Sequence, residues 1–402
     1  MFAAFGRVSA EIFFKFLIKN DFIDERDDVL DAVNGPDDVI AELISFREAF
    51  RKQIAALANE VLKRNKMNAP SVEATCARID AGLRDYASFL TKVNGVRQAQ
   101  EASTDDRQTQ IDLRREWGAA TARTNLFRVE LNQWTLMKKL VHEQVAARKK
   151  RVPLYQKRRS DVAAAQIAAS DAVFDWVHAV LNREKQSDEA IESGCFPDIA
   201  LPNSEFHEHL HAAYRVLLVR GQAQSVRFLD VGCGGGLKVL SALRYFSHAD
   251  GLDYQKSYVD SARTLLERAE VEGARAFQAD ALTFDRYGDY DVIYFYRPIQ
   301  DQDKIIEMER RIIDQVAPGT ILIAPYLGFG DRFTSLGCSR VDGAVYLSDT
   351  TRTSAQRWRR EAEQTGPAVA LAESERMPTI WSPLLEASRQ SGYDIERYAQ
   401  PV

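Results

Sequence analysis

Apolar residues recur at helical spacing through much of the first half of the chain. No proline lies between Pro70 and Pro153, so no proline interrupts a helix there. The recurring positions are Ile111, Leu113, Trp117, Leu126, Val129, Leu131, Trp134, Met137, Leu140 and Val141. Polar and charged residues occupy the other faces, as in amphipathic helices. The spacing is not a strict heptad, and it predicts a helical bundle or an antiparallel coiled-coil hairpin.

A different pattern begins near Arg227, where short apolar runs alternate with amphipathic segments. The apolar runs predict strands at 227–231, 249–252, 274–278, 290–296 and 320–326. The intervening segments predict helices at 237–246, 258–271 and 303–316. Crossover connections of this kind place helices on the faces of a parallel sheet. The predicted fold class is therefore α/β, with a doubly wound, mostly parallel sheet preceded by an all-α helical region.

Glycine and proline separate the two parts of the chain. Most of the 21 glycines and 12 prolines follow residue 200, and a segment poor in both can sustain long helices. We predict a helical N-terminal region over 1–195 and an α/β domain over 196–350. Residues 351–402 are expected to complete the sheet or to form a lid. A long apolar stripe needs a partner surface, so we expect a homo-oligomer through the helical region.

The composition is typical of a soluble globular protein, with 45% hydrophobic and 28% charged residues. A formal net charge of -5 argues against a protein that coats nucleic acid. The four cysteines form no CxxC pair, which indicates a reducing compartment and predicts a cytoplasmic location. The sequence has no uninterrupted apolar stretch of about 18 residues, as a transmembrane helix would require.

Two segments raise the question of a macromolecular partner or a membrane surface. A run of cations comprises Arg148, Lys149, Lys150, Arg151, Lys157, Arg158 and Arg159. Such a run is typical of a solvated helix face, and the alternative is contact with a nucleic-acid backbone or an anionic lipid. The N-terminus is rich in phenylalanine and predicts a short amphipathic helix that packs on its own protein, with a membrane-surface helix as the alternative. Nothing else in the sequence supports either partner.

A glycine-rich loop, Asp230-Val-Gly-Cys-Gly-Gly-Gly236, follows the first predicted strand and precedes a helix. Glycine at this place allows a tight turn and a close approach of the backbone to a ligand. The dinucleotide fingerprint GxGxxG would need glycine where Leu237 stands, and the chain lacks the phosphate-binding GxxxxGK[ST] motif. A nicotinamide-dependent oxidoreductase is therefore disfavoured.

This loop resembles motif I of the class I S-adenosylmethionine-dependent methyltransferases, and the resemblance extends over residues 227–326. It implies S-adenosylmethionine as the cofactor. The loop would wrap the methionine portion through Gly232, Cys233, Gly234 and Gly236, and Asp230 would help to hold its amino group. The resemblance also assigns Asp253 and Tyr254 to the ribose, and Asp280 and Ala281 to the adenine.

The end of the fourth predicted strand should open onto the transferring methyl group. Tyr296 and Arg297 are the candidate catalytic residues there. Arg297 suggests an anionic group on the substrate, with a salt bridge to Asp301 or Asp303 as the alternative. The segment Tyr296-Arg-Pro-Ile299 departs from the Asn/Asp-Pro-Pro-Tyr signature of amino-methylating branches, which puts methylation of nucleic-acid bases in doubt.

A second motif, His207-Glu-His-Leu-His211, satisfies the HExxH pattern of zinc peptidases. Those enzymes need a third ligand, and a methyltransferase-like loop follows shortly after, so we predict no metal. His211 is a tentative base or substrate contact, because the helix before the first strand commonly borders the cofactor pocket in this family. A solvated helix face is the alternative.

Three functional hypotheses remain. The first is a methyltransferase acting on a small-molecule, lipid or glycan acceptor, with the helical half serving assembly or substrate recruitment. The second is an RNA or protein methyltransferase that uses the basic run at 148–159. The third is a non-catalytic scaffold with a methyltransferase fold. The methyl acceptor itself is not identified.

Overall fold

The computed structural model describes residues 33–155, 160–182, 185–199, 201–370 and 379–395. The predicted N-terminal amphipathic helix and the cations Lys157, Arg158 and Arg159 lie outside these residues. The chain divides into two compact units. Unit 1 is Met1–Val145 with Met377–Ala387, and unit 2 is Ala146–Arg376 with Ser388–Val402.

The helices in chain order are α1 Pro36–Leu62, α2 Ala69–Ala102, α3 Arg107–Leu131, α4 Trp134–Ala147, α5 Asp161–Leu181, α6 Asp188–Glu192, α7 Asn203–Val219, α8 Leu237–Ala242, α9 Lys256–Arg268, α10 Gln302–Gln315, α11 Leu327–Arg332, α12 Arg352–Ala362 and α13 Ser382–Arg389. The strands are β1 Arg227–Val231, β2 His248–Asp253, β3 Ala274–Gln278, β4 Val292–Phe295, β5 Ile321–Ile323, β6 Ser339–Asp342 and β7 Val345–Leu347. None of the helices in the described part of the chain is both long and apolar enough to span a bilayer.

Unit 1 is a helical bundle in which α1, α2 and α3 pack against one another. Its core contains edge-to-face aromatic pairs, among them Tyr86 with Phe127 at 5.2 Å between ring centroids. The Tyr86 hydroxyl donates to the Thr124 carbonyl at 2.7 Å, so its polar end is satisfied inside the core. The expected all-helical region before the sheet is confirmed.

Much of the predicted apolar stripe is buried inside this bundle, including Trp117, Leu131, Trp134, Met137, Leu140 and Val141. Three other members point outward: Ile111, Leu126 and Val129 are 47%, 66% and 59% exposed. The stripe is interrupted between α3 and α4 at Asn132 and Gln133, so it is not one continuous face. Since unit 1 itself buries most of the stripe, the original reason for expecting self-association is weakened, and the homo-oligomer stays a prediction.

Unit 2 contains a seven-stranded sheet in the order β3-β2-β1-β4-β5-β7-β6. Strands β1 to β5 pair in parallel, and β7 runs antiparallel to both β5 and β6. The strand order reverses between β1 and β4, and ligands of doubly wound sheets bind at this switch point. The predicted fold class is confirmed.

Several predicted boundaries differ from the observed ones. The segment predicted as a strand over 320–326 is a strand only over Ile321–Ile323, and α11 begins at Leu327. Buried Glu309 accounts for this turn, since it accepts from the Tyr326 hydroxyl at 2.6 Å and from Arg332 Nε at 3.0 Å. These bonds hold both ends of α11 against α10.

The division of the chain also differs from the predicted segments. Unit 2 already begins at Ala146, because α5 packs against α7 beside the sheet. The predicted C-terminal extension is split between the units: α12 packs on β6 and α7, whereas Trp381 stacks on Trp134 in unit 1, with ring centroids 5.4 Å apart.

Helix α7 carries a buried arginine that joins distant parts of unit 2. Arg215 is 1% exposed and donates to main-chain and side-chain oxygens of Val152 at 2.8 Å, Ala362 at 2.9 Å, Thr365 at 3.0 Å and Pro153 at 3.1 Å. Burial lowers the pKa of Arg215 to about 10. The Arg215 guanidinium thereby connects α7 to the end of α12 and to the main chain of Val152 and Pro153.

Candidate functional site

A cavity of about 420 Å³ lies at the carboxyl ends of the central parallel strands. The topological switch point between β1 and β4 opens there, which is the usual ligand position in this architecture. The predicted site residues that line it are Gly232, Gly234, Asp253, Tyr254, Asp280, Ala281, Tyr296 and Arg297. These residues come from the ends of four different strands, β1 to β4, and the structure brings them together at one cavity.

The glycine-rich loop is fixed to the neighbouring strand by main-chain hydrogen bonds. The N–H groups of Gly232 and Cys233 donate to the Leu252 carbonyl at 2.8 and 2.9 Å. Gly236 has φ +81° at the start of α8, and a Cβ atom there would lie 2.6 Å from the Ala262 Cβ. Only glycine allows α8 to approach α9 this closely. Cys233 and Gly236 therefore shape the loop from behind, and neither lines the cavity.

Asp253 occupies the end of β2 at the cavity wall. Its Oδ2 accepts from the Gly234 N–H and its Oδ1 from the Gln255 N–H, both at 2.9 Å. Burial raises the pKa of Asp253 to about 6, and the main-chain donors oppose that rise. The carboxylate is thus held rigidly where two strand ends meet.

Asp280 also lies at the cavity, after β3. Its Oδ1 accepts from the Leu282 N–H at 2.9 Å, which closes a local turn and orients the carboxylate. Tyr254 also lines the cavity, and its hydroxyl accepts a hydrogen bond from the Ser193 hydroxyl at 3.2 Å.

Asp230 differs from these acids in its access to the cavity. It is 2% exposed within β1, and it is not among the residues that line the cavity. Burial raises the pKa of Asp230 well above its ordinary value; the Lys238 ammonium opposes this rise, and Asp198 and Asp253 add to it. The role expected for Asp230 at a ligand amino group therefore lacks the required access in this structure.

Tyr296 and Arg297 follow β4 directly and line the cavity, as predicted. Arg297 has φ +48°, a left-handed conformation that is uncommon for a residue with a side chain. Its guanidinium lies 4.9 Å from the centre of the Phe196 ring. The alternative salt bridge is absent among the described residues, since Asp301 instead caps α10 by accepting from the N–H groups of Asp303 and Lys304.

The histidines of the HExxH pattern lie elsewhere in unit 2. His207 Nδ1 is 3.1 Å from the Tyr245 hydroxyl, and His211 Nε2 is 3.0 Å from the Pro367 carbonyl. Burial lowers the pKa of both histidines to about 4. Neither histidine lines the cavity, so the structure does not place His211 at the candidate site. The alternative of a solvated helix face is wrong, because α7 is buried nearly all round.

Within the described residues, no group of three histidine, cysteine, aspartate or glutamate side chains is placed to hold a metal ion. The HExxH spacing in α7 therefore reflects packing of the histidines against Tyr245 and the segment around Pro367.

Sequence reasoning missed one wall of the cavity. Ser193 and residues 195–199 line it. The backbone of this segment pairs with the segment after β4: the Phe196 N–H donates to the Pro298 carbonyl at 3.1 Å, and the Gln300 N–H donates to the Gly194 carbonyl at 2.7 Å. This wall brings Asp198 to the glycine-rich loop, where the Gly235 N–H donates to it at 3.1 Å. The segment shows no apolar periodicity, so the pattern of the sequence gave no signal for it.

The central strands and the loop correspond to a known protein family. Residues 228–319 match the profile of a family described as "Methyltransferase domain". Unit 2 thus contains a segment that matches a methyltransferase domain. S-adenosylmethionine is the cofactor of this family, and the resemblance carried by the glycine-rich loop is confirmed. No curated protein matches the chain.

Solved structures show limited likeness to this methyltransferase domain. The YcgJ protein of Bacillus subtilis is 20% identical, with 28% of this chain and 49% of that chain covered and a TM-score of 0.24. CalS10, an amino pentose methyltransferase from Micromonospora echinaspora, is 21% identical, with 35% and 58% covered and a TM-score of 0.26. An RNA methyltransferase from Salinibacter ruber is 20% identical, with 31% and 76% covered and a TM-score of 0.26. This chain thus spans about half of the first of these proteins.

The residues of the cavity fit S-adenosylmethionine chemically. Asp198, Asp253 and Asp280 supply acids around the glycine-rich loop and the ends of β2 and β3, which suits a ligand with a sulfonium, an ammonium and a ribose diol. Asp253 is the residue that would hold the ribose, and Asp280 the adenine. When bound, the sulfonium would supply an electrophilic methyl group.

The raised pKa of Asp253 predicts a pH-dependent affinity for S-adenosylhomocysteine. Asp253 becomes protonated as the pH falls through its pKa of about 6. A protonated Asp253 is a poorer acceptor for the ribose hydroxyls. We expect the affinity at pH 5 to be about tenfold weaker than at pH 8. Calorimetric titration at both pH values measures this difference.

The matched control is Asp253→Asn, which cannot titrate at this position. The variant should bind more weakly than the wild type at pH 8 and show a smaller change between the two pH values. An equal change in wild type and variant would mean that Asp253 is not the titrating group.

Proposed function

We propose that the protein transfers a methyl group from S-adenosylmethionine to a small-molecule, lipid or glycan acceptor. One observation carries this proposal: a single cavity joins the glycine-rich loop, Asp253 and Asp280 within a segment that matches the methyltransferase family. The residues of unit 2 would bind the cofactor, orient the acceptor and exclude water, because methyl transfer depends mainly on positioning. The scaffold hypothesis is disfavoured because these acids and glycines line an open cavity.

The acceptor, in this proposal, carries an anionic group near the transferring methyl group. Arg297 supports this, since no carboxylate among the described residues pairs with it and its side chain lies at the cavity. Lys304 is a second cation at the same wall, although its ammonium also donates to the Ser193 carbonyl at 3.1 Å. Tyr296, 36% exposed, supplies an aromatic surface beside Arg297.

The remaining parts of the proposal concern location and unit 1. We place the protein in the cytoplasm, and the four cysteines support this because all of them are free thiols. Unit 1 would serve assembly or substrate recruitment. An RNA or protein acceptor held by the basic run is the alternative. Lys149, Lys150 and Arg151 are exposed, and the last three cations of the run lie outside the described residues.

Calorimetric titration of the full-length protein tests the cofactor assignment first. We expect S-adenosylmethionine and S-adenosylhomocysteine to bind at one site per chain, and NADH not to bind. Binding of NADH without binding of S-adenosylmethionine would overturn the proposal in favour of an oxidoreductase. A folded protein that binds none of the three would favour the non-catalytic scaffold.

Transfer of a radiolabelled methyl group then identifies the acceptor class. The protein is incubated with labelled S-adenosylmethionine and with separate cellular fractions of small molecules, lipids, glycans, RNA and protein. Label in one of the first three fractions, lost in Asp253→Ala, supports the proposal. Label only in RNA or protein would establish the alternative.

A further inference from the structure

Asp198 lies in the segment that connects α6 to α7, outside the residues that match the methyltransferase family. It nevertheless lines the cavity beside Gly234. Asp198 precedes Gly235 of the glycine-rich loop by 37 residues along the chain, so it lies outside the motifs that carry the family resemblance. Its position is created by the pairing of residues 194–196 with residues 298–300.

One carboxylate oxygen of Asp198 is fully engaged by the protein. Oδ2 accepts from Asn182 Nδ2 at 2.6 Å and from the Gly235 N–H at 3.1 Å, and it lies 3.2 Å from His178 Nε2. None of the described residues donates to Oδ1. Within the described part of the chain, the carboxylate is therefore fixed through Oδ2, and Oδ1 has no protein donor.

The glycine-rich loop is shaped to accept this carboxylate. Gly234 has φ +51°, and a Cβ atom there would overlap the carboxyl group of Asp198. A side chain at position 234 would therefore displace Asp198 from the loop. Since Asp253 marks the ribose end of the cavity and Asp280 the adenine end, the loop and Asp198 mark the end where the methionine portion would lie.

Asp230 and Asp198 are the two candidate acids for binding the ligand's amino group. Asp230 is buried in β1 and does not line the cavity, whereas Asp198 lines it with one oxygen not bonded by any described residue. An ammonium needs a direct, charge-assisted contact for strong selectivity. Access therefore favours Asp198.

We propose that Asp198, and not Asp230, binds the amino group of the cofactor's methionine portion. This inference rests on the proposed function, because it takes S-adenosylmethionine as the ligand. It means that a residue outside the family-matched segment completes the cofactor site. The salt bridge would form between Oδ1 of Asp198 and the ligand ammonium.

Two ligands that differ only in the ammonium test this assignment. S-adenosylhomocysteine carries the amino group, and its desamino analogue carries hydrogen in its place. Calorimetric titration at pH 8 compares the wild type, Asp198→Asn and Asp230→Asn with both ligands. We expect Asp198→Asn to weaken S-adenosylhomocysteine about tenfold and to leave the desamino analogue within about twofold of wild type.

The desamino analogue also reports that the variant's cavity is folded. Asp230→Asn should change the two affinities by the same factor. Equal weakening of both ligands in Asp198→Asn, or no weakening, would give Asp198 a structural role and overturn the inference. Selective loss in Asp230→Asn would do the same. Failure of the proposed function differs from all of these, because the wild type would then bind neither ligand.

Discussion

Replacement of Asp253 by alanine is expected to weaken the binding of S-adenosylhomocysteine by about ten- to a hundredfold. The variant loses a charged acceptor for the ribose hydroxyls, and a hydrogen bond to a charged group contributes roughly 1.5–3 kcal/mol. It also frees the Gly234 N–H, to which Asp253 Oδ2 bonds at 2.9 Å, so the loop loses a fixed point. Both effects act on the ligand-binding end of unit 2. Calorimetric titration at pH 8 measures the affinity.

The matched control is Asp260→Ala on the outer surface of α9. Asp260 has a half-exposed side chain that pairs with Lys256 four residues earlier, and it does not line the cavity. Its removal should leave the affinity within about twofold of wild type, since exposed ion pairs contribute little. If both variants lose the same affinity, Asp253 has no special role at the ribose.

The second large effect is expected in stability. Arg215→Met should lower the free energy of unfolding of unit 2 by about 3 kcal/mol. Methionine fills a similar volume and removes a buried charge, but it cannot donate to the oxygens that Arg215 satisfies. Each buried acceptor left without a donor costs about 1–3 kcal/mol, and several are lost together. Relief of the buried charge offsets only part of that cost.

Urea unfolding followed by far-ultraviolet circular dichroism measures this change. Arg357→Met is the control, because the Arg357 side chain is 56% exposed and its ion pair with Glu361 is long, at 4.0 Å. The control should stay within about 0.5 kcal/mol of wild type. A stability of Arg215→Met equal to that of the control would show that water replaces the guanidinium at its acceptors without loss.

Local sequence patterns predicted the sheet well because β1 and β4 are mainly apolar and glycine or proline residues separate the short strands. β3 was predicted with the observed limits, Ala274–Gln278. The strand predicted over 320–326 was too long because a tertiary contact decides its end. Glu309, on α10, binds both Tyr326 and Arg332 and favours a helical turn that the apolar run alone does not specify.

The candidate site was predictable where a residue lies at the end of a strand or shortly after it. Asp253 ends β2, and Asp280 and Arg297 come two residues after β3 and β4. The carboxyl ends of these parallel strands meet at one edge. The structure does not place His211 at the cavity, and the sequence could not show this, because the HExxH spacing describes one helix face and carries no information on burial. Asp198 was missed because its place depends on main-chain pairing between residues distant in sequence, as between Phe196 and Pro298.

That pairing has a consequence for how this protein can change its substrate over evolution. The segment after β4, with Arg297, is held by residues 194–196, so an insertion or deletion on either side shifts both walls of the cavity at once. A point substitution within residues 228–319 changes one wall of the cavity, while the wall formed by residues 194–196 keeps its position. We therefore expect homologues with a different acceptor to differ in both segments together, with paired changes in their lengths.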